Sequence, residues 1–265
     1  MRYKVCLCYN GADFCGWQRQ PDAPTIQQSL EESLSKLLGT PIAVTGAGRT
    51  DTGVNAGMYV AHFDAQDNID CEQICYKLNA ILPRSVAIRS VIPADDGFHA
   101  RFDATKREYT YFLHRRKDPF VEKFSFLYGY PQLDFDAMNK AAEALLGTHD
   151  FSCFEKSGGD NKTSVCTVTE ARWTKYIPSH ISVMAGSSEE GSKAVAEADG
   201  CYWYFRISAD RFLRNMVRAT VGTLLEVGRG KRSAESVAEL VEKGTRCDAG
   251  ESVPGHALFL SDVNY

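Results

Sequence analysis

Long apolar segments are missing from this sequence of 265 residues. No run approaches the roughly 18 consecutive apolar residues that a membrane-spanning helix requires, which argues against a membrane protein. The first residues, Met1-Arg2-Tyr3-Lys4-Val5, begin a strand-like alternation and lack the apolar core and cleavage site of a signal peptide. Strong compositional bias is missing too, because 44% hydrophobic and 24% charged residues are typical of globular proteins. We therefore expect a cytoplasmic chain of one or two domains, not a disordered, collagenous or coiled-coil one.

A regular cysteine framework is absent as well. The nine cysteines are an odd number at irregular spacing, which favours reduced thiols over disulfides. The pairs Cys6-x-Cys8 and Cys71-x3-Cys75 have no second Cys or His pair at ligand spacing, so we interpret them as buried thiols. We predict neither a metal nor a cofactor.

An overall excess of basic charge is also lacking. The formal net charge is −4, which at first sight argues against a nucleic-acid partner. The basic residues are nevertheless concentrated in two segments, 101–117 and 206–232. Because binding follows the local field and not the net charge, these segments are compatible with a positive groove. The alternative is that both are solvated faces, and charge alone does not decide between the two.

Periodicity and capping residues predict the elements of the first half. One helix should begin at Pro24-Thr25, with Gln28 in its capping box, and end at Gly39. A second helix should run from Asp70 to Pro83. Strands are expected at 2–9, near 42–46, at 57–64 and at 86–92. The resulting order, β-α-β-β-α-β, is that of a split βαβ unit.

The second half repeats this outline with insertions. Strands are expected at 107–114, 165–176, 180–185, 201–208 and 256–263, and helices at 134–146, 210–227 and 234–243. The stretch from Gly186 to Gly200 is rich in Ser, Glu and Ala, and we interpret it as a mobile surface loop. The residues from Gly158 to Asn161 predict another loop.

The most unusual segment is Gly46-Ala47-Gly48-Arg49-Thr50-Asp51-Thr52-Gly53-Val54-Asn55-Ala56. Its glycines allow the chain to approach a ligand closely and to present Arg49 and Asp51 from a tight turn. It is not a phosphate-binding P-loop, because the Gly-Lys-Ser/Thr ending is missing, and no helix follows as in a dinucleotide fingerprint. By spacing alone, an ordinary polar hairpin is the competing interpretation.

The segment Gly48-Arg49-Thr50-Asp51-Thr52-Gly53-Val54 closely resembles the catalytic loop of the tRNA pseudouridine synthase A family. Further matches to that family occur in order over most of the chain. They are Tyr9-Asn10-Gly11, Gly16-Trp17-Gln18-Arg19-Gln20, Asn79-Ala80-Ile81-Leu82-Pro83, Phe98-His99-Ala100-Arg101-Phe102, Arg107-Glu108-Tyr109-Thr110-Tyr111, His149-Asp150-Phe151, Phe212-Leu213-Arg214-Asn215-Met216-Val217-Arg218 and Val221-Gly222. With the element order, the resemblance implies an α+β fold of two split-βαβ (ferredoxin-like) subdomains, 1–104 and 105–265. Their mostly antiparallel sheets are expected to flank a central cleft.

The resemblance also implies an activity: isomerisation of uridine to pseudouridine in tRNA, at positions 38, 39 and 40 of the anticodon stem-loop, without a cofactor. Asp51 matches the catalytic aspartate of the family. A carboxylate suits this chemistry because it can act as a nucleophile or as a base towards the ribose. The resemblance further implies a homodimer whose cleft binds tRNA. Two other classes remain open, a non-catalytic RNA-binding module and a glycoside-cleaving enzyme with Asp51 as nucleophile.

Other site residues are implied by the same matches. Arg49 matches the arginine that takes the place of the flipped base, Tyr109 the active-site tyrosine, and Arg218 the arginine that pairs with the catalytic aspartate. The matches to RNA-contacting positions are Phe98, His99, Ala100, Arg101, Phe102 and Lys162, and the run His114-Arg115-Arg116-Lys117 is expected to contact phosphates unless it is simply solvated. Two departures from the family, Asn55 in place of histidine and Cys166 near a basic position, suggest altered RNA affinity or site choice.

Overall fold

The computed structural model describes residues 1–66, 68–156, 158, 162–186 and 188–265. The chain divides into two compact units, one formed by Met1–Glu108 with Phe259–Tyr265 and the other by Tyr109–Leu258. The predicted division at 104/105 therefore lies four residues before the one in the structure. The last seven residues group with the first unit and not with the second. Both units are α+β, and antiparallel pairing predominates in their sheets.

The first unit has the element order that the sequence predicts. It contains β1 (Arg2–Tyr9), α1 (Ile26–Leu38), β2 (Val44–Gly46), β3 (Asn55–Asp64), α2 (Cys71–Ile81) and β4 (Val86–Ala94). The sheet runs β4-β1-β3, with β2 also paired to β3, and these pairs are antiparallel. A further strand, β10 (Leu258–Asn264), pairs with the beginning of β3 in parallel, with Phe259 opposite Asn55.

Local signals explain where the two helices of this unit begin and end. The Thr25 hydroxyl accepts the Gln28 main-chain N–H, and Gly39 closes α1 in the left-handed conformation at φ 71°. The Asp70 carboxylate accepts the Gln73 main-chain N–H at the start of α2. The alternating residues of β1 are buried, and they form the core with Leu30 and other apolar residues of α1.

The second unit is built on another strand order. Its elements are β5 (Lys106–His114, beginning just before the division), β6 (Phe126–Leu127), α3 (Phe135–Ala142), β7 (Gly147–Asp150), β8 (Val165–Lys175), α4 (Ser179–Met184), α5 (Glu189–Ala198), β9 (Tyr202–Ala209), α6 (Met216–Gly228) and α7 (Glu235–Lys243). The strands follow the order β5-β9-β8-β7, with β6 paired in parallel to β5. The strand β9 therefore lies between β5 and β8.

Two predictions between β8 and β9 are wrong. The strand expected at 180–185 is the helix α4, and the loop expected from Gly186 to Gly200 contains the helix α5. Pro178 immediately precedes α4, and the Ser188 hydroxyl accepts the Gly191 main-chain N–H at the start of α5. These are helix-start signals, and they outweigh the short apolar alternation and the small side chains.

Two further helices differ in length from the prediction. The helix expected at 134–146 ends as α3 at Ala142, followed by a 3₁₀ turn at Glu143–Leu145. The helix expected at 210–227 begins at Met216, because Asn215 adopts the left-handed conformation at φ 66°. The loop predicted at 158–161 lies outside the described residues except for Gly158. In the described ranges, no helix is long and apolar enough to cross a membrane.

Candidate active site

The loop between β2 and β3 carries both Arg49 and Asp51. Arg49 is exposed, Thr50 is buried, and Asp51 is half-buried. A tight turn follows, in which the Asp51 carbonyl accepts the Val54 main-chain N–H at 3.1 Å. Gly53 has φ 75° at the third position of this turn, which a residue with a side chain rarely adopts. The glycine therefore determines the backbone just after the carboxylate.

A second segment, residues 9–17, holds this loop by its backbone. The Trp17 N–H donates to the Thr50 carbonyl at 3.2 Å, and the Gly53 N–H donates to the Phe14 carbonyl at 3.3 Å. At the end of the loop, the buried Asn55 side chain accepts the Gly11 N–H at 2.9 Å. The carboxylate of Asp51 thus lies between two anchored residues of its own loop.

Two glycines of this segment allow the close approach. A Cβ on Gly16 would lie 2.3 Å from the Thr50 carbonyl oxygen, and Gly16 also has φ 88°. A Cβ on Gly11 would lie 2.1 Å from the Val54 carbonyl oxygen. Carbon atoms do not come that close to an oxygen, so neither position accepts a side chain without a shift of the loop.

An aromatic cluster lies behind the loop. Trp17 stacks on Tyr59 with ring centroids 4.1 Å apart, and Tyr9 lies 5.6 Å from Tyr59. The Tyr59 hydroxyl donates to the Gly48 carbonyl, and the Tyr9 hydroxyl is 2.9 Å from the Thr50 hydroxyl oxygen. All three rings are buried, so the loop rests on a rigid apolar base with two polar contacts.

The predicted RNA-contacting segment 98–102 forms a compact turn in the same unit. His99 and Phe102 stack with centroids 4.3 Å apart, and the His99 Nδ1 accepts the main-chain N–H groups of Arg101 and Phe102. Arg101 and Phe102 are exposed, whereas Ala100 is buried and Phe98 is half-buried against Tyr265. The structure thus brings these five residues together and leaves two of them available to a ligand.

His62 anchors this turn from β3. Its Nδ1 accepts the Ala100 main-chain N–H at 3.1 Å, which requires that nitrogen to be unprotonated. Burial lowers the pKa of His62 below its usual range, and the positive charge of Arg2 lowers it further. His62 is therefore neutral in the fold at pH 7, as its hydrogen bond requires.

Tyr109 and Arg218 belong to the second unit. Tyr109 lies on β5, is half-buried, and meets the Phe212 ring edge to face at 5.0 Å. Its neighbour on the same face of the strand, Tyr111, is fully buried and donates to the Pro254 carbonyl. Burial raises the pKa of Tyr111, which the charge of Arg218 opposes. Arg218 therefore lies near the β5 tyrosine that the core encloses.

Arg218 is held at the first turn of α6. Its Nε donates to the Val253 carbonyl at 2.7 Å, and the Val253 N–H donates to the Arg218 carbonyl at 3.2 Å. The segment containing Val253 packs tightly on the helix, since a Cβ on Gly222 would lie 1.7 Å from the Glu251 carbonyl oxygen. The sequence match at Val221-Gly222 thus has a packing reason.

The basic run His114-Arg115-Arg116-Lys117, before β6, is only partly available to bind RNA phosphates. His114 is fully buried, with Nδ1 2.9 Å from the Ser125 hydroxyl, so it cannot contact phosphate as expected. The Arg115 guanidinium donates to the Tyr128, Tyr130 and Pro131 carbonyls. Lys117 is exposed, and Lys162 is exposed on another loop of the second unit. Both lysines are therefore accessible from solvent, as residues that contact RNA phosphates have to be.

A buried carboxylate stabilises the loop next to Lys117. Asp118 accepts the Tyr202 hydroxyl at 2.6 Å, His180 Nε2 at 2.9 Å and the Phe120 N–H at 3.0 Å. Burial alone would raise the pKa of Asp118, but these hydrogen bonds lower it below the usual range. The carboxylate is therefore ionised and joins the loop to α4 and β9.

The two departures from the family pattern both lie inside the protein. Asn55 is 2% exposed and bonds to Gly11, as described above. Cys166 lies on β8 opposite His149, and burial raises the pKa of its thiol to about 12. Both side chains are buried, so an effect on RNA affinity or site choice would act through the residues that pack around them. Among the described residues, no group of three or more His, Cys, Asp or Glu side chains could hold a metal ion.

Comparison with known proteins tests the resemblance at the level of the family. A sequence model described as tRNA pseudouridine synthase matches residues 6–103 and 141–265, which include Asp51, the 98–102 turn and Arg218. The chain belongs to the tRNA pseudouridine synthase family. Because pseudouridine and uridine are isomers, the members of this family are isomerases. Tyr109 and Lys117 lie between the two matched stretches.

Whole-chain relatives agree with this assignment. The chain is 46% identical over 266 residues to tRNA pseudouridine synthase A of Parabacteroides distasonis, covering 100% of this chain and 96% of the relative. It is 42% identical to tRNA pseudouridine synthase A of Bacteroides thetaiotaomicron, covering 100% of this chain and 90% of the relative. The protein of that name from Bacillus subtilis is 39% identical, with 100% of this chain and 99% of the relative covered.

Proposed function

We propose that this protein converts uridine to pseudouridine at positions 38, 39 and 40 of the tRNA anticodon stem-loop, using the Asp51 carboxylate and no cofactor. The observation that carries the proposal is the geometry of the Asp51 loop. Thr50 is anchored to Trp17 on one side of the carboxylate, and Gly53 to Phe14 on the other. A carboxylate held this way is preorganised for attack or proton transfer. Such preorganisation supplies much of the rate enhancement of an enzyme.

The reaction balances without any co-reactant. The N1–C1′ glycosidic bond breaks, the base turns, a C5–C1′ bond forms, and the C5 proton is released while N1 gains one. Asp51 is suited to two of these steps, because its carboxylate can attack or stabilise the ribose cation and can accept a proton. One positioned carboxylate is therefore enough for this isomerisation, whereas hydrolysis of a glycoside normally uses a pair of carboxyl groups.

The other predicted residues have roles before the chemical step. A uridine inside a stem must leave the stack at a cost of a few kcal/mol, and we assign Arg49, exposed two residues from Asp51, to the space it leaves. Tyr109 and Arg218 are assigned to binding the target nucleotide. We assign the surrounding RNA to the 98–102 turn, Lys117 and Lys162. Exposed cations of the protein bind phosphates, and exposed aromatic rings stack on bases.

The experiment follows the released C5 proton. The purified protein is incubated with tRNA carrying tritium at uridine C5, and tritium release to water is measured together with pseudouridine mapping. We expect release by the wild type and none above background by Asp51→Asn, with tRNA binding retained within a few-fold, because shape is kept and only the charge is lost. Asp13→Asn, an exposed aspartate of the neighbouring segment, is the control and should retain activity.

Each outcome distinguishes the proposal from the other two classes. Binding without tritium release would indicate a non-catalytic RNA-binding module, and free uracil would indicate a glycoside-cleaving enzyme. Turnover by Asp51→Asn would refute the catalytic assignment. Transcripts that keep uridine at only one of the positions 38, 39 and 40 test the choice of site, and modification elsewhere would contradict it.

We also propose that the active form is a homodimer, as the family resemblance implies. Sedimentation equilibrium of the purified chain, with and without tRNA, tests this assignment. A mass of one 29.4 kDa chain under assay conditions, with full activity, would refute it.

A further inference from the structure

A pair of buried hydroxyl groups lies directly behind the Asp51 loop. Tyr9 ends β1, and its ring is 4% exposed. Its hydroxyl oxygen is 2.9 Å from the hydroxyl oxygen of Thr50, a residue that is 7% exposed. Thr50 is the buried residue between Arg49 and Asp51, so whatever fixes Thr50 also limits the motion of both charged neighbours.

The backbone and the side chain of Thr50 are fixed by different groups. Its carbonyl accepts the Trp17 N–H, and Gly16 packs against the same carbonyl. These contacts restrain the position of the peptide but do not select a rotamer of the side chain. The bond to Tyr9 adds the second restraint, because a threonine hydroxyl with one partner selects one rotamer.

The preceding part of the loop has a separate attachment. The Tyr59 hydroxyl bonds to Gly48, one residue before Arg49, and Tyr59 stacks on Trp17. Loss of the Tyr9 hydroxyl would leave these contacts in place. The ring of a phenylalanine would fill the same apolar space, so the hydroxyl is not needed for packing. The Tyr9 hydroxyl instead fixes the orientation of the Thr50 side chain.

We propose that Tyr9 is a positioning residue for the isomerisation, acting through the Thr50 hydroxyl to hold the Asp51 carboxylate in its productive orientation. This inference rests on the proposed function. On this proposal the two hydroxyls act through the loop that carries Asp51 and not on the reacting atoms themselves. Their effect is on the chemical step, because orientation of a reacting carboxylate changes the rate far more than it changes the affinity for tRNA.

The test is a double-mutant cycle on the two hydroxyls. Tyr9→Phe and Thr50→Val each remove one partner and keep the shape, and the double variant removes both. We expect each single variant to lower the single-turnover rate of tritium release about ten-fold, with KM for tRNA within about two-fold. The double variant should lose clearly less than the product of the two single losses, because both single variants remove the bond between Tyr9 and Thr50. Thr50→Ser keeps a hydroxyl and should recover most of the rate.

Tyr3→Phe is the matched control. Tyr3 lies on the same strand, is fully buried, and its hydroxyl accepts the Ile69 N–H at 3.2 Å, away from the Asp51 loop. Its loss should change the rate less than about two-fold, even where it lowers the urea midpoint as much as Tyr9→Phe does. Equal effects of the two variants on rate and stability would overturn the proposal, because they would mean a general structural role.

The remaining outcomes are also decisive. Additive losses in the cycle, an unchanged rate in Tyr9→Phe, or an equal loss in Thr50→Ser and Thr50→Val would each overturn the positioning role. If Tyr9→Phe does not fold, the comparison of Thr50→Ser with Thr50→Val decides the matter on its own. Failure of the proposed function is distinguishable, since the wild type itself would then release no tritium.

Discussion

Replacement of Gly16 by alanine should damage catalysis from outside the Asp51 loop. Gly16 has φ 88°, and a Cβ there would lie 2.3 Å from the Thr50 carbonyl oxygen and 3.2 Å from the Asp51 carbonyl carbon. Real Cβ atoms essentially never come within 3.0 Å of such a neighbour. The two backbones must therefore separate by about 0.7 Å or more, and the residue that moves adjoins the carboxylate.

The magnitude has two parts, one on stability and one on rate. A left-handed conformation costs a residue with a Cβ roughly 1–2 kcal/mol, which should lower the free energy of unfolding. A misplacement of about 1 Å at a reacting group can reduce the rate about 100-fold. The two parts can be separated, because Gly39 has φ 71° at the end of α1 and a Cβ there would meet no atom within 4 Å. Gly39→Ala should therefore lose stability alone.

The assay is single-turnover tritium release from labelled tRNA, with urea unfolding on the same preparations. We expect Gly16→Ala to fall between about 10- and 100-fold in rate, while Gly39→Ala stays within about two-fold of the wild type. Both variants should bind tRNA within a few-fold of the wild type. A Gly16→Ala enzyme that is destabilised like Gly39→Ala and still turns over normally would show that the contact to Thr50 does not position Asp51.

The remaining predictions concern base flipping and acid stability. If Arg49 fills the space of the extruded uridine, Arg49→Lys should fail nearly as badly as Arg49→Ala, because an ammonium lacks the planar guanidinium. A 2-aminopurine beside the target uridine reports unstacking, and normal unstacking and turnover by Arg49→Lys would leave Arg49 as a phosphate contact. The pKa of His62 is lowered in the folded protein. As the pH decreases, the unfolded chain therefore takes up a proton at His62 near pH 6.5, before the folded protein does. The stability should therefore fall as the pH decreases from about 7 to about 5. His62→Asn, which keeps an acceptor for the Ala100 N–H, should reduce that slope in urea titrations, and an unchanged slope would contradict the assignment.

The elements that local chemistry defines are those that the sequence predicts well. The first helix has a capping threonine at its start and a glycine at its end, and the structure places both ends there. The second has Asp70 as its cap and ends before Pro83. Each boundary depends on residues within one turn of it, so no distant contact is needed to place it.

The errors occur where two local signals compete or where the deciding contact is distant. In 180–185 the apolar residues Ile181 and Val183 alternate over too few positions to separate a strand from a helix. The apolar pattern predicts the start of α6 six residues too early, because it continues through Leu213. Asn215 interrupts it by bonding to Ser252, which is 37 residues away in sequence.

The candidate site also has one part that its local sequence predicts and another that depends on contacts distant in sequence. The glycines and charges of the loop itself predict that Arg49 and Asp51 are presented together. They do not predict its supports, because Gly16 and Tyr9 meet Thr50 across more than 30 residues of sequence. The signal is present in the match at Gly16-Trp17, but a glycine before a tryptophan has no assigned role until the backbone it touches is known.

Charge is the property that sequence reasoning misjudges most at the site. A run such as His114-Arg115-Arg116-Lys117 suggests four cationic side chains facing solvent. In the structure, burial lowers the pKa of His114, and Arg115 is occupied by main-chain carbonyls. The field that an RNA meets depends on the cations that are left after such internal bonds form. Counting basic residues therefore overestimates the attraction of this segment for RNA. Lys117 is the single exposed side chain of the run, and the contribution of this run to RNA binding depends on it.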